Sequence, residues 1–201
     1  MKKKKNILAG IIVILMAALF ILAALVVINK KNGDKLPEST TVSPVDQVLL
    51  RDLKRNYPPT PKEVLRFYSD ITTCFYREDL TEEQLSKLAL KAREVYDSEL
   101  CADKTEEEYL EDLKKDILTF QAMDLVVSGY SLSSSTDVEF FSADGFDFAR
   151  MYANYRLRQG TEYAYINEVF LLRKDENGHW KIYGWDVVEE ESDSEQVMEN
   201  E

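Results

Sequence analysis

An uncharged apolar run from Ile7 to Ile28 stands directly behind Lys2–Lys5. It holds no proline, and only Gly10 interrupts its Leu, Ile, Val, Ala, Phe and Met residues. At a rise of about 1.5 Å per residue, its 22 residues span roughly 33 Å, enough to cross a hydrocarbon core. A helix apolar around its whole circumference is one that a single modest domain can hardly cover, so the run is expected to lie in a membrane.

A removable signal peptide has an apolar core of about 7–15 residues and a small-x-small cleavage site. Here the run closes on Ala24-Leu25-Val26-Val27-Ile28-Asn29-Lys30, with bulky branched residues where small ones are required. A retained single-pass anchor is the expectation. With no cysteine near its end, a lipid-modified N-terminus is not supported. Lys2–Lys5 before the run favour a cytoplasmic residue 1–6 segment and a C-terminal part outside the cell membrane.

The remainder divides into three parts. Residues 29–59 are rich in turn formers and lack periodicity, which is the composition of a linker. Within it, Val48-Leu49-Leu50 with Leu53 can form a short helix packed on the adjoining domain. Residues 60–188 carry the periodic patterns of one folded domain. Residues 189–201 are mostly acidic and polar, the composition of a disordered tail.

Three helix starts carry the same signature. Thr60-Pro61-Lys62-Glu63, Thr81-Glu82-Glu83-Gln84 and Thr105-Glu106-Glu107-Glu108 each read T-x-x-[E/Q], the capping box. Apolar stripes come after each, predicting helices over 61–77, 82–98 and 106–122. From Leu125 the period becomes two, predicting strands over 125–132, 137–142, 146–158, 161–174 and 180–189. Gln159-Gly160 and Asn177-Gly178 mark turns, the second a hairpin turn because both residues tolerate positive φ. The apolar register moves from Phe146/Phe148 to Ala149/Met151/Ala153, which predicts a bulge near Phe148.

Helices followed by a meander of long antiparallel strands define an α+β arrangement. The Val64-x-x-Phe67-Tyr68 helical face, the long strand pair 146–174 and the closing Trp180-Lys181-Ile182-Tyr183-Gly184-Trp185 strand resemble the NTF2-like superfamily. That resemblance implies three helices packed on a curved antiparallel sheet in a cone, over about 60–188. The whole layout is also similar to a family of single-pass membrane-anchored proteins of Gram-positive anaerobes, a likeness that brings no activity with it.

The chain has 37 acidic and 25 basic residues and a formal net charge of −12. An acidic exterior repels phosphate backbones, so nucleic acid is excluded as a partner. No cofactor is expected, because no Gly-rich phosphate loop exists among the seven glycines. No His/Cys/Asp/Glu spacing suits a metal, and Asp175-Glu176-Asn177-Gly178 lacks the repeated acids of a calcium loop. His179, the single histidine, falls beside a turn and has no cysteine or serine partner in the pattern. Cys74 and Cys101 are compatible with a disulfide in an oxidising exterior, though two partly buried free thiols fit two cysteines better.

One constellation could carry chemistry. NTF2-like cones often enclose a pocket, and some members are isomerases or dehydratases with an acid among tyrosines. Tyr152, Asn154 and Arg156 share one strand face, as do Tyr163, Tyr165 and Asn167 on the next. Glu168 falls on the opposite face, with Ala164, Ile166 and Phe170. If that face is inward, Glu168 is the candidate buried acid beside Tyr155 and Trp185; otherwise it sits at an edge and the aromatics are core. The reading favoured by the sequence is a non-enzymatic interaction or scaffold module of the cell envelope, partnered by another envelope protein or by itself. The alternative is a small-ligand-binding or lyase/isomerase pocket.

Overall fold

The structure, a computed structural model, describes residues 42–188. The apolar run at 7–28 and the acidic tail at 189–201 lie outside the described residues, and no described helix is long and apolar enough to cross a membrane.

Packing begins earlier than Thr60. Helix α1 (Pro44–Leu49) starts on Ser43, whose Oγ accepts from Asp46 N at 3.0 Å, with Pro44 in the first turn, where its missing N–H costs nothing. Its Val45 and Val48, followed by Leu53, are buried in the core. The Tyr57 hydroxyl then donates to the Trp180 carbonyl at 2.9 Å. The second half of the expected linker is therefore part of the folded unit, because its few apolar residues are spaced to cover one face of the next helix.

Helix α2 (Pro61–Arg77) buries Val64, Leu65, Phe67, Tyr68, Ile71, Cys74 and Phe75, the face pattern of a core helix. Helix α3 runs Glu82–Glu94 and α5 runs Glu106–Ala122, each opened by a complete capping box. At α2 the Thr60 side chain accepts from Glu63 N, but Glu63 answers the Thr60 hydroxyl and not its backbone N–H.

The second predicted helix stops four residues short of the expected Ser98. The chain turns at Val95, extends over Tyr96 and Asp97, and bonds the backbone of Ile182 on both sides: Ile182 N to Val95 O and Asp97 N to Ile182 O, each 2.8 Å. The gain is cover for an otherwise bare sheet edge. Asp97 then caps the short helix α4 (Ser98–Ala102) by accepting from Glu99 N.

Five antiparallel strands complete the domain: β1 (Leu125–Leu132), β2 (Glu139–Ala143), β3 (Phe146–Gln159), β4 (Glu162–Lys174) and β5 (Trp180–Val187). The order is β1-β3-β4-β5, with β2 also on β3, so the long β3 carries two partners in succession on one edge. The second strand starts at Glu139 because Ser134 caps a single 3-10 turn at Ser135–Asp137.

The bulge expected near Phe148 is absent. β3 and β4 pair without interruption from Phe148–Arg173 to Gln159–Glu162. Phe148 is apolar on the outer face because it stacks on Phe141 and meets Tyr183 edge-on, at 5.5 and 5.7 Å between ring centroids. The breaks fall elsewhere, in β1 between Val127 and Gly129 and in β5 at Tyr183, which has no partner on β4. They bend the curved sheet around α2 and α5. At the β4–β5 turn only Gly178 has positive φ, at +80°. Gly178 N bonds Asp175 O and Asp175 N bonds His179 O, so the connection is a longer turn ending in a left-handed glycine.

The inner face of the sheet supplies Ala149, Met151, Tyr155, Leu157, Phe170, Leu172 and Ile182 to one core. Helix α2 lies against β1 and β5, while α5 reaches β1 and the flanks of α2 and α3. α5 buries only Leu113 and Phe120 fully. It is held off the sheet, and the space beneath it is where the candidate site lies.

Candidate functional site

Period two decides where Glu168 goes. Phe170 and Leu172 point into the core, so Glu168 on the same face of β4 must too. It is 8% exposed and accepts no hydrogen bond from any described residue. Burial alone pushes its carboxyl up to about 7 from an ordinary value of 4.5.

Glu168 lines a cavity of about 530 Å³ between α2, α3, α5 and the sheet. Tyr155 from β3 and Trp185 from β5 line it as well, so the three residues singled out in the sequence come together. The helical layer contributes Tyr68 from α2, Tyr109 and Leu113 from α5 and Tyr96 from the segment after α3, all of which the periodicity placed on apolar stripes, and Tyr76 from α2, which it did not. The available signal was chemical. A core stripe is usually Leu, Ile and Phe, whereas the helices and the segment after α3 together turn four tyrosines to the cavity.

Most of those hydroxyls are satisfied among themselves. Tyr96 bonds Tyr68 at 3.3 Å and Tyr109 at 3.2 Å, and Ser69 Oγ shares a hydrogen bond with the Tyr155 hydroxyl at 2.9 Å. Trp185 has its ring centroid 5.8 Å from Tyr68, 5.8 Å from Tyr96 and 5.9 Å from Phe170. Burial, reinforced by the Glu168 charge, holds the Tyr68, Tyr76 and Tyr155 hydroxyls well above their ordinary range. Tyr109 is pushed up to about 12, again mainly by burial.

Charge gathers at the mouth. Arg93 donates to the carbonyls of Cys101 and Lys104 and lies over the Tyr109 ring. Lys104 and Lys115 both pair with Asp112. Asp116 makes no ion pair with a described residue, and burial raises its carboxyl above the ordinary range. The arrangement can hold an apolar body against rings and present one inner carboxyl to it.

The remaining candidates lie elsewhere. Cys74 and Cys101 are free thiols, not a disulfide. Cys74 is buried on α2, which pushes its thiol up to about 11 and makes it a poor nucleophile. Cys101 Sγ donates weakly to the Arg93 carbonyl at 3.8 Å. His179 stacks on Tyr57 at 4.3 Å, outside the cavity, and Asp175 beside it organises the turn by accepting from Asn177 N and His179 N. Among the described residues no group of three or more His, Cys, Asp or Glu converges as a metal site would require. Tyr152, Tyr163 and Tyr165 are on the outer face and exposed.

An α+β domain enclosing an aromatic cavity, with one deeply buried acid that no described residue pairs, is the class that fold and site define. Residues 1–185 match the family described as a domain of unknown function, DUF6715, and the chain belongs to it. No curated protein matches the chain.

Proposed function

We propose that the domain binds a small, largely apolar molecule in the cavity beneath α5. One observation carries this reading: Glu168, buried and without a hydrogen-bond or ion-pair partner among the described residues, faces a cavity of about 530 Å³ that side chains do not fill. Small-molecule sites run from roughly 300 to 1,000 Å³, mostly apolar with a few convergent polar groups. An unpaired buried carboxyl is destabilising, and binding is what such a group is retained for. The helices-then-meander order supports a place in the NTF2-like superfamily, whose cones enclose pockets of this kind. The 7–28 run supports a single-pass anchor that holds the domain outside the membrane. Glu168 is the residue through which a lyase or isomerase activity would act, but nothing beside it activates a nucleophile.

The test uses the two tryptophans. In full-length protein labelled with 5-fluorotryptophan and held in lipid nanodiscs, 4-phenylbutanol is expected to shift the Trp185 fluorine resonance to saturation. Trp180, at the far end of β5 beneath Lys174, should stay in place. Both resonances drifting together without saturation would mean the cavity is not a site.

The outer sheet face supports a second reading, an interaction module, because Tyr163 and Tyr165 are 57% and 60% exposed beside Tyr152. Concentration-dependent sedimentation that disappears in Tyr163→Ser/Tyr165→Ser would favour it.

A further inference from the structure

We infer that the cavity selects a protonated amine carried on an apolar body, with Glu168 as its counter-charge. The inference rests on the binding reading above and adds the class of ligand. Three independent features point the same way.

The first is what the tyrosines have left to give. Tyr68, Tyr96, Tyr109 and Tyr155 already bond one another or Ser69, so a ligand meets ring surface more than free hydroxyl. Aromatic rings surrounding a desolvated cation attract it through their quadrupoles. The fifth cavity tyrosine, Tyr76, makes no side-chain hydrogen bond to a described residue.

The second is the balance of engaged and unengaged charge. All three cations at the cavity are bound: Arg93 to two carbonyls, Lys104 and Lys115 to Asp112. The unengaged groups are both acids, Glu168 deep inside and Asp116 nearer the mouth. An anionic ligand would meet these two carboxylates, while each cation it could reach already holds a described carbonyl or carboxylate.

The third is the position of Glu168 itself. Its backbone is fixed between Ala153 on β3 and Val187 on β5, in the middle of the sheet. A carboxylate on a rigid strand with no internal partner gives a cation one fixed, charge-assisted contact. A neutral carbonyl would need the acid protonated and would gain nothing from the rings' negative faces.

The experiment compares three probes of one shape, 4-phenylbutylammonium, 4-phenylbutanol and 4-phenylbutyrate, on fluorotryptophan-labelled full-length protein in nanodiscs. At pH 8 the ammonium is expected to bind at least about ten-fold tighter than the alcohol. The carboxylate should be weakest. In Glu168→Gln the ammonium should fall to the alcohol's affinity, with Trp180 unmoved as the sign of an intact fold.

The pH profile needs no variant. Between pH 6 and 8 the ammonium should tighten while the alcohol stays level, as Glu168 gives up its proton. The buried tyrosines Tyr68, Tyr76, Tyr96, Tyr109 and Tyr155 stay protonated throughout, since each hydroxyl is pushed up. The other charged groups facing the cavity are Arg93, Lys104, Lys115 and Asp112, the last held below its ordinary range by its hydrogen bond from Lys104. Asp116, raised by burial, is the other acid that could contribute, and Asp116→Asn separates it from Glu168. Alcohol binding as tightly as ammonium overturns the amine inference and leaves the cavity a site. Failure of all three probes to move Trp185 overturns both.

Discussion

Asp97 and Arg173 form a buried two-pronged ion pair: Arg173 Nε donates to Asp97 Oδ2 at 2.9 Å and Nη2 donates to Oδ1. Arg173 Nη1 also reaches Glu99 at 2.7 Å, and its guanidinium lies over the rings of Phe146 and Tyr183. Asp97 meanwhile caps α4 and closes the segment that covers β5. One carboxylate thus ties the end of the helical layer to the outer face of the sheet.

Asp97→Ala leaves the buried guanidinium with the exposed Glu99 as its one described carboxylate, which costs up to about 3 kcal/mol. Arg173→Met in the same background removes the stranded charge and should recover part of the loss. Urea unfolding of wild type, both single variants and the double variant checks this. Additive losses would mean that the pair is not coupled.

Ser69 and Tyr155 share a buried hydrogen bond between α2 and β3 at 2.9 Å. Ser69→Ala strands the Tyr155 hydroxyl and should cost about 1–3 kcal/mol. Tyr155→Phe on top of Ser69→Ala should cost little more, since both polar ends are then gone. A double-mutant cycle by thermal unfolding measures the coupling, and none at all would place a water or a ligand between the two groups.

Gly178 and Gly184 separate backbone need from space. Neither would bring an added Cβ within 4 Å of another atom, but Gly178 alone has left-handed φ, at +80°. Gly178→Ala should therefore destabilise by about 1 kcal/mol. Gly184→Ala, in a strand, should be neutral or stabilise by a few tenths of a kcal/mol. Equal losses in denaturant melts would contradict the turn geometry.

The parts legible in the sequence were those set by local chemistry. Thr60, Thr81 and Thr105 marked helix starts because a capping oxygen acts within one turn. Glu168 was placed on the Phe170 face because side chains alternate strictly along a strand. What was hidden depends on distant pairings. The apolar spacing of Val95 and Tyr96 continues the α3 stripe, and only the bare edge at Ile182 turns that segment into extended chain. Phe148 suggested a bulge because its cover, Phe141 and Tyr183, comes from other strands. The cavity was suggested only by the resemblance to pocketed cones: its volume is set by how far α5 stands from the sheet, and no single stripe encodes that distance.

The buried acid also makes stability depend on pH in a defined direction. Folded Glu168 holds its proton to about 7, whereas the unfolded carboxyl releases it near 4.5. Between those values the folded chain binds the extra proton, so stability falls as pH rises from about 4.5 to 7 and stays lower above it. The full difference corresponds to about 3 kcal/mol. Glu168→Gln lacks this dependence, since an amide does not titrate. Asp70 and Asp116, both raised by burial, remain in both proteins and cancel in the comparison. Urea midpoints between pH 5 and pH 8 should therefore drop further for wild type than for Glu168→Gln, leaving the variant the more stable of the two at pH 8. Parallel behaviour of the two proteins would mean that Glu168 is solvated in the folded state. At one fixed concentration, 4-phenylbutylammonium at pH 8 should then stabilise wild type more than Glu168→Gln, because the variant binds it only with the alcohol's affinity and the carboxylate gains a partner.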